Sequence, residues 1–161
     1  MVSKFEVNKT KSDMRIRINL TLLGVCFTLF TFLVAFNPSL LQENLYLTFQ
    51  LVCAIPLLMT SVLSHSKSSY TPEVVRWKNF AFFTFLLAYA FLINVIGMFL
   101  ILFISVFVGF AFFGLNIFLA LVYSRLEISY QPSRTMERFF KDMIFLGIII
   151  LLGILPALGT Y

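Results

Sequence analysis

Charge is what this chain has least of. Of its 161 residues only 12% are Asp, Glu, Lys or Arg, while 60% are apolar. Soluble domains carry about a quarter charged and about half apolar residues. A water-soluble fold has no means of covering so much apolar surface, so lipid is the expected solvent. Histidine occurs once, as His65, and cysteine twice, as Cys26 and Cys53. That inventory, with no Cys-x-x-Cys spacing, excludes a zinc site or a bis-histidine haem within the single chain. His65 sits in a Ser-rich stretch and reads as a solvated loop residue. Cys26 and Cys53 fall near the middle of apolar blocks at depths differing by about 3 Å, where they read as small packing residues. The seven acids all lie outside the apolar blocks. A pump coupled through buried carboxylates is therefore not expected, nor is an intramembrane aspartyl dyad. No cofactor and no metal is expected, and the balance is against catalysis.

What the chain does have is four apolar blocks, Ile18–Phe36, Leu45–Leu63, Phe80–Tyr123 and Met143–Ala157. They are continuous rather than alternating, so a helical bundle is expected and a transmembrane barrel is not. The first block follows Lys4, Lys9, Lys11, Arg15 and Arg17, as a secretory signal would. It is too long for the apolar part of a signal and no small-residue cleavage site follows, so it reads as a retained anchor helix.

The third block holds 44 residues. As one straight helix it would measure about 66 Å, roughly twice the hydrocarbon thickness of a bilayer. Tilt does not absorb such an excess. The chain must fold back, and Asn94 and Gly97 are the only turn-prone residues near the middle, so the turn is expected within residues 94–101.

The basic residues give an independent argument. All twelve lie in three segments: 1–17, 64–78 and 124–142. With a hairpin in the third block the chain has about five spans, near 18–36, 45–63, 79–97, 101–123 and 143–158. All three basic segments then share one side and every Lys and Arg obeys the positive-inside rule. A single crossing would put the last cluster opposite the first two. The expected architecture is an all-α integral membrane protein, one domain, with its N-terminus inside and its C-terminus outside.

Local signals refine this. Thr71–Pro72–Glu73 has the pattern of a helix start, with Trp77 at the interface. From Arg134 the pattern is amphipathic, with Glu137 and Lys141 an i,i+4 pair. Arg15, Arg17, Arg76, Lys78, Arg134, Arg138 and Lys141 are placed to meet anionic inner-leaflet head groups. The net charge of +5 is explained by orientation and head groups rather than by nucleic acid. Ser105, Gly109, Asn116 and Ala120 fall on one helical face with Phe112 and read as a helix–helix packing seam, Asn116 donating across it. Gln50 and Asn94 are the expected intramembrane polar contacts. Twenty-one Phe residues supply bulky faces for lipid or packing.

The function expected from these features is that of a non-catalytic accessory or assembly subunit working through helix contacts, with itself or other membrane subunits as partners. A small oligomeric transporter or channel for an uncharged or hydrophobic solute is the first alternative. A membrane enzyme acting on lipid head groups at the inner face, through residues such as Glu73 and Glu127, is the second. The plasma membrane is the expected location.

Overall fold

A computed structural model describes residues 4–70, 74–130 and 135–159. Among the described residues there is no strand. The elements are α1 (Lys4–Phe36), α2 (Pro38–Glu43), α3 (Leu45–Lys67), α4 (Val74–Phe103), α5 (Val106–Tyr130), α6 (Thr135–Ile149), a π-helical turn (Ile150–Ile154) and α7 (Leu155–Gly159). Five stretches are long and apolar enough to cross a membrane: Thr10–Phe36, Leu45–Lys67, Val75–Phe103, Val106–Leu126 and Phe139–Gly159. The described residues are therefore all-helical in class, with five helices of membrane-spanning length. The expected helix start at Thr71–Pro72–Glu73 lies outside the described residues, as do Pro132, Arg134 and the side chains of Glu137 and Arg138.

The helices outrun the expected spans. The basic N-terminal segment is not a separate tail, because α1 begins at Lys4 and at 33 residues is about 50 Å long. Asn37–Asn44, expected as a plain connection, contains α2, with Pro38 at its first turn where no backbone donor is needed. The Thr48 hydroxyl donates to Leu41 O at 2.5 Å and ties this short helix to the start of α3. Residues 64–67, expected in a loop, form the last turn of α3.

The chain separates into two compact units, Met1–Tyr89 and Ala90–Tyr161, with α4 running from one into the other. In the first unit α1 and α3 pack as antiparallel partners. From Thr10 onward the buried residues of α1 are Ser12, Asn19, Cys26 and Leu33, each seven after the last. Leu47, Ala54 and Ser61 on α3, and Ser68 just past its end, repeat the same spacing, with Leu51, Leu58 and His65 offset between them. A seven-residue repeat keeps one stripe facing its partner when the helices wind about each other with a left-handed twist. Pro56 lies inside α3 and is exposed, and the Thr60 hydroxyl donates to its carbonyl at 2.7 Å.

In the second unit the turn comes later than expected. The helix passes through Asn94 and Gly97 unbroken and ends at Phe103. Only Ile104 and Ser105 separate α4 from α5. The N–H groups of both end on Leu100 O at 3.0 Å. The Ser105 hydroxyl accepts the Val108 N–H at 3.2 Å, a capping bond that starts α5. Gly97 is used for closeness instead of for turning. A Cβ there would overlap the end of the Phe113 ring, and one on Gly109 would overlap the Ile101 side chain and stand 2.9 Å from Gly97 O. The two contacts, 97 with 113 and 101 with 109, are symmetric about residue 105. Two glycines thus let the arms of a hairpin approach closely, the small-residue logic of helix pairs in lipid.

The last span carries the π turn. Pro156 has no N–H to offer the carbonyl four residues back, and its ring crowds that carbonyl. The wider turn relieves this, and the Leu155 N–H bonds back to Ile150 O. The buried face is Phe145, Ile149, Gly153 and Ala157. A four-residue spacing drifts by about 40° per step round a regular α-helix, and the wider turn compensates for the drift.

Candidate functional site: a polar seam and cavity in the first unit

The polar residues of the seven-residue stripe meet across the helices. The Asn19 amide nitrogen on α1 donates to the Ser61 hydroxyl on α3 at 2.8 Å, and Ser61 donates to Ala81 O on α4, also at 2.8 Å. Thr84 gives its hydroxyl to the same Ala81 carbonyl at 3.1 Å. Asn19, Ser61 and Thr84 are all buried. Three helices are thereby joined at one level by side-chain bonds. Two turns nearer the N-terminus of α1, the Ser12 hydroxyl donates to His65 O at 2.7 Å, and Ser68 and Ser69 bond the same carbonyl. Ser69 also donates to the Ser12 oxygen at 3.1 Å.

Between these two levels lies a cavity of about 140 Å³, lined by Arg15, Ile18, Asn19, His65, Phe82 and Phe85. The surface facing it is mostly apolar; of the lining residues Asn19 and His65 are buried, and Arg15 and Ile18 are exposed. His65 is therefore not the solvated loop residue that the sequence suggested. Helix α3 continues past it, and the Ser12 bond draws α1 over it. Arg15 and Lys78 are both near enough to act on the imidazole electrostatically. Among the described residues no acidic side chain lines the cavity. Nearby, the Lys67 ammonium sits 4.4 Å from the centre of the Trp77 ring, a cation–π contact of the kind that anchors a helix end at an interface.

The residues singled out from sequence are distributed differently. Arg15 belongs to the cavity. Arg17 and Arg76 are exposed, and Lys78 and Lys141 are half-buried. Gln50 is buried and its amide donates to Tyr46 O in its own helix at 3.2 Å. In the second unit, the fully buried Asn94 donates to Ile148 O at 3.2 Å, and a Cβ on Gly153 would overlap its amide oxygen. The side chain of Asn94 thus occupies the space that the glycine of the π turn leaves. Of the seam residues, Gly109 is buried in the hairpin contact, whereas Ser105 is exposed at the turn. Asn116 and Ala120 are half-buried, and Asn116 donates to Phe112 O of its own helix at 2.9 Å instead of across a contact. The inward residue of that stretch is Phe113. Cys26 is buried and Cys53 half-buried, both as free thiols. Asp142, expected outside the last span, is half-buried within the spanning stretch and accepts a short bond from the Ser124 hydroxyl.

Ser12, Asn19, Ser61 and His65 were not among the sequence candidates. The signal was present as the seven-residue spacing of Ser12, Asn19, Cys26 and Leu33, which a search for charged or metal-binding groups passes over. Among the described residues no group of three His, Cys, Asp or Glu is placed to hold a metal ion. Compared with protein-family models, curated proteins and solved structures, the chain matches none.

Proposed function

We propose that this is a non-catalytic accessory or assembly subunit of the plasma membrane, acting through helix–helix contacts, with the N-terminus inside and the C-terminus outside. One observation carries the assignment. Five polar groups of the spans donate to a neighbouring helix or to their own backbone: Asn19 to Ser61, Ser61 to Ala81 O, Asn94 to Ile148 O, Gln50 to Tyr46 O and Asn116 to Phe112 O. Such groups hold helices together. A solute path needs polar groups converging on a continuous space. Helix α5 supports the same view. Only 11% of its spanning window is buried, and Phe107, Leu115, Phe118 and Leu119 stand outward, leaving a long apolar face for partner helices. The orientation rests on the three basic segments sharing one side.

The test is the native mass of the tagged protein, extracted gently at its normal expression level. A discrete complex containing other polypeptides is expected. A monomer or homo-oligomer would overturn the accessory role and favour transport of an uncharged solute, which flux in liposomes would then detect.

A further inference from the structure

We propose that the cavity beside His65 is a binding site for a small uncharged phenol, a single aromatic ring carrying one hydroxyl. The site does not depend on the accessory role. The starting point is a polar group that the fold leaves unmet. The hydroxyls of Ser12, Ser68 and Ser69 all end on His65, and all three reach its backbone carbonyl. The imidazole itself makes no hydrogen bond among the described residues, although His65 is only 3% exposed. With the carbonyl covered, the ring is the part of His65 that lines the cavity. Its electrostatic neighbours are the cations Arg15 and Lys78. They balance no positive charge on the ring, so the neutral form fits the site. A neutral imidazole has one N–H to donate and one nitrogen to accept, and a buried group of this kind is expected to have a partner.

The rest of the lining sets the body of that partner. Asn19 already gives its amide nitrogen to Ser61, and the surface facing the cavity is mostly apolar, with Ile18, Phe82 and Phe85 in its wall. The occupant therefore needs an apolar body and one polar atom. The volume, about 140 Å³, is close to the roughly 150 Å³ that takes one benzene in an engineered protein core. Two Phe rings suit an aromatic neighbour. Ile18 is exposed on the spanning part of α1 and gives access from the hydrocarbon. Other occupants fit less well. An acyl chain fills the space but leaves the imidazole without a partner. A water molecule needs about two to four polar partners, more than one imidazole in an apolar wall supplies. A charged group loses its hydration against that wall.

Fluorine NMR of para-fluorophenol and fluorobenzene, two probes that differ by the hydroxyl alone, tests the site. The full chain is placed in phosphatidylcholine nanodiscs, and protein-free nanodiscs give the partitioning baseline. Saturable binding of para-fluorophenol, one per chain, is expected above that baseline, with fluorobenzene roughly tenfold weaker for want of one hydrogen bond. His65→Leu should bring para-fluorophenol down to the fluorobenzene level and leave fluorobenzene nearly unchanged. Should His65→Leu fail to fold, Ile18→Trp, at an exposed position, fills the opening and should abolish saturable binding of both probes. Equal affinity of the native chain for the two probes would overturn the phenol assignment in favour of a purely apolar groove. No saturable component above the protein-free baseline, or saturable binding that survives Ile18→Trp, would overturn the site.

Discussion

Gly109→Val is expected to be the most damaging single substitution in the second unit, lowering the unfolding free energy in mixed micelles by about 3 kcal/mol. The reason is what stands in the way. A Cβ at residue 109 overlaps the Ile101 side chain and lies 2.9 Å from the carbonyl oxygen of Gly97. A side chain can choose another rotamer, but a backbone carbonyl moves only if the helix moves. The two arms of the hairpin must separate, and the close contact that helices in lipid depend on is lost along its length. Gly97→Ala behaves differently, because its obstacle is the end of the Phe113 ring. Its cost should shrink in a Phe113→Ala background, whereas the Gly109→Val cost should persist when Ile101 is cut back to Ala. Unfolding midpoints in an SDS titration of the four variants and two doubles give the comparison. Equal rescue at both positions would show that the Gly97 carbonyl is not the barrier.

The second large effect is expected in the first unit. Ser61→Ala should cost about 1–2 kcal/mol, since it leaves the buried Asn19 amide without its acceptor. The Ala81 carbonyl loses the Ser61 donor but keeps Thr84. Removing both partners together, in Asn19→Leu with Ser61→Ala, should cost less than the two single changes summed. An apolar pair makes no unmet demand, whereas one orphaned amide does. The readout is the same titration. Strict additivity of the two changes would contradict a direct Asn19–Ser61 bond.

How much of this was legible beforehand depends on which interactions are local. Five helices of spanning length follow from apolar runs and from a 44-residue block too long for one crossing. The presence of a hairpin was legible for that reason, but its position was not. Asn94 and Gly97 have turn propensity, yet in the folded chain Asn94 bonds Ile148 O and Gly97 accommodates Phe113. Both uses are tertiary and override propensity. Ser105, assigned to a packing face by its spacing, caps α5 instead. His65 lay in a stretch that reads as loop, because serine, histidine and lysine are all common in loops. Burial by α1 through Ser12 involves a residue 53 positions away, and composition near His65 carries no trace of it. The π turn had a local cause in Pro156, but its effect, placing Gly153 against Asn94, again depends on a distant helix.

Five helices long and apolar enough to span, with the chain doubling back at Ile104–Ser105, predict five membrane crossings. Single cysteines placed in a background lacking Cys26 and Cys53 test it directly, with a membrane-impermeant thiol reagent applied to intact cells. Cysteines at Ser39, between α1 and α3, and at Ser105 should both be labelled from outside. Cysteines at Lys11, Ser66 and Arg125 should react only after permeabilisation. Labelling of Ser105 and Arg125 from the same side, or of Ser39 and Ser105 from opposite sides, would contradict the hairpin and with it the five-span arrangement.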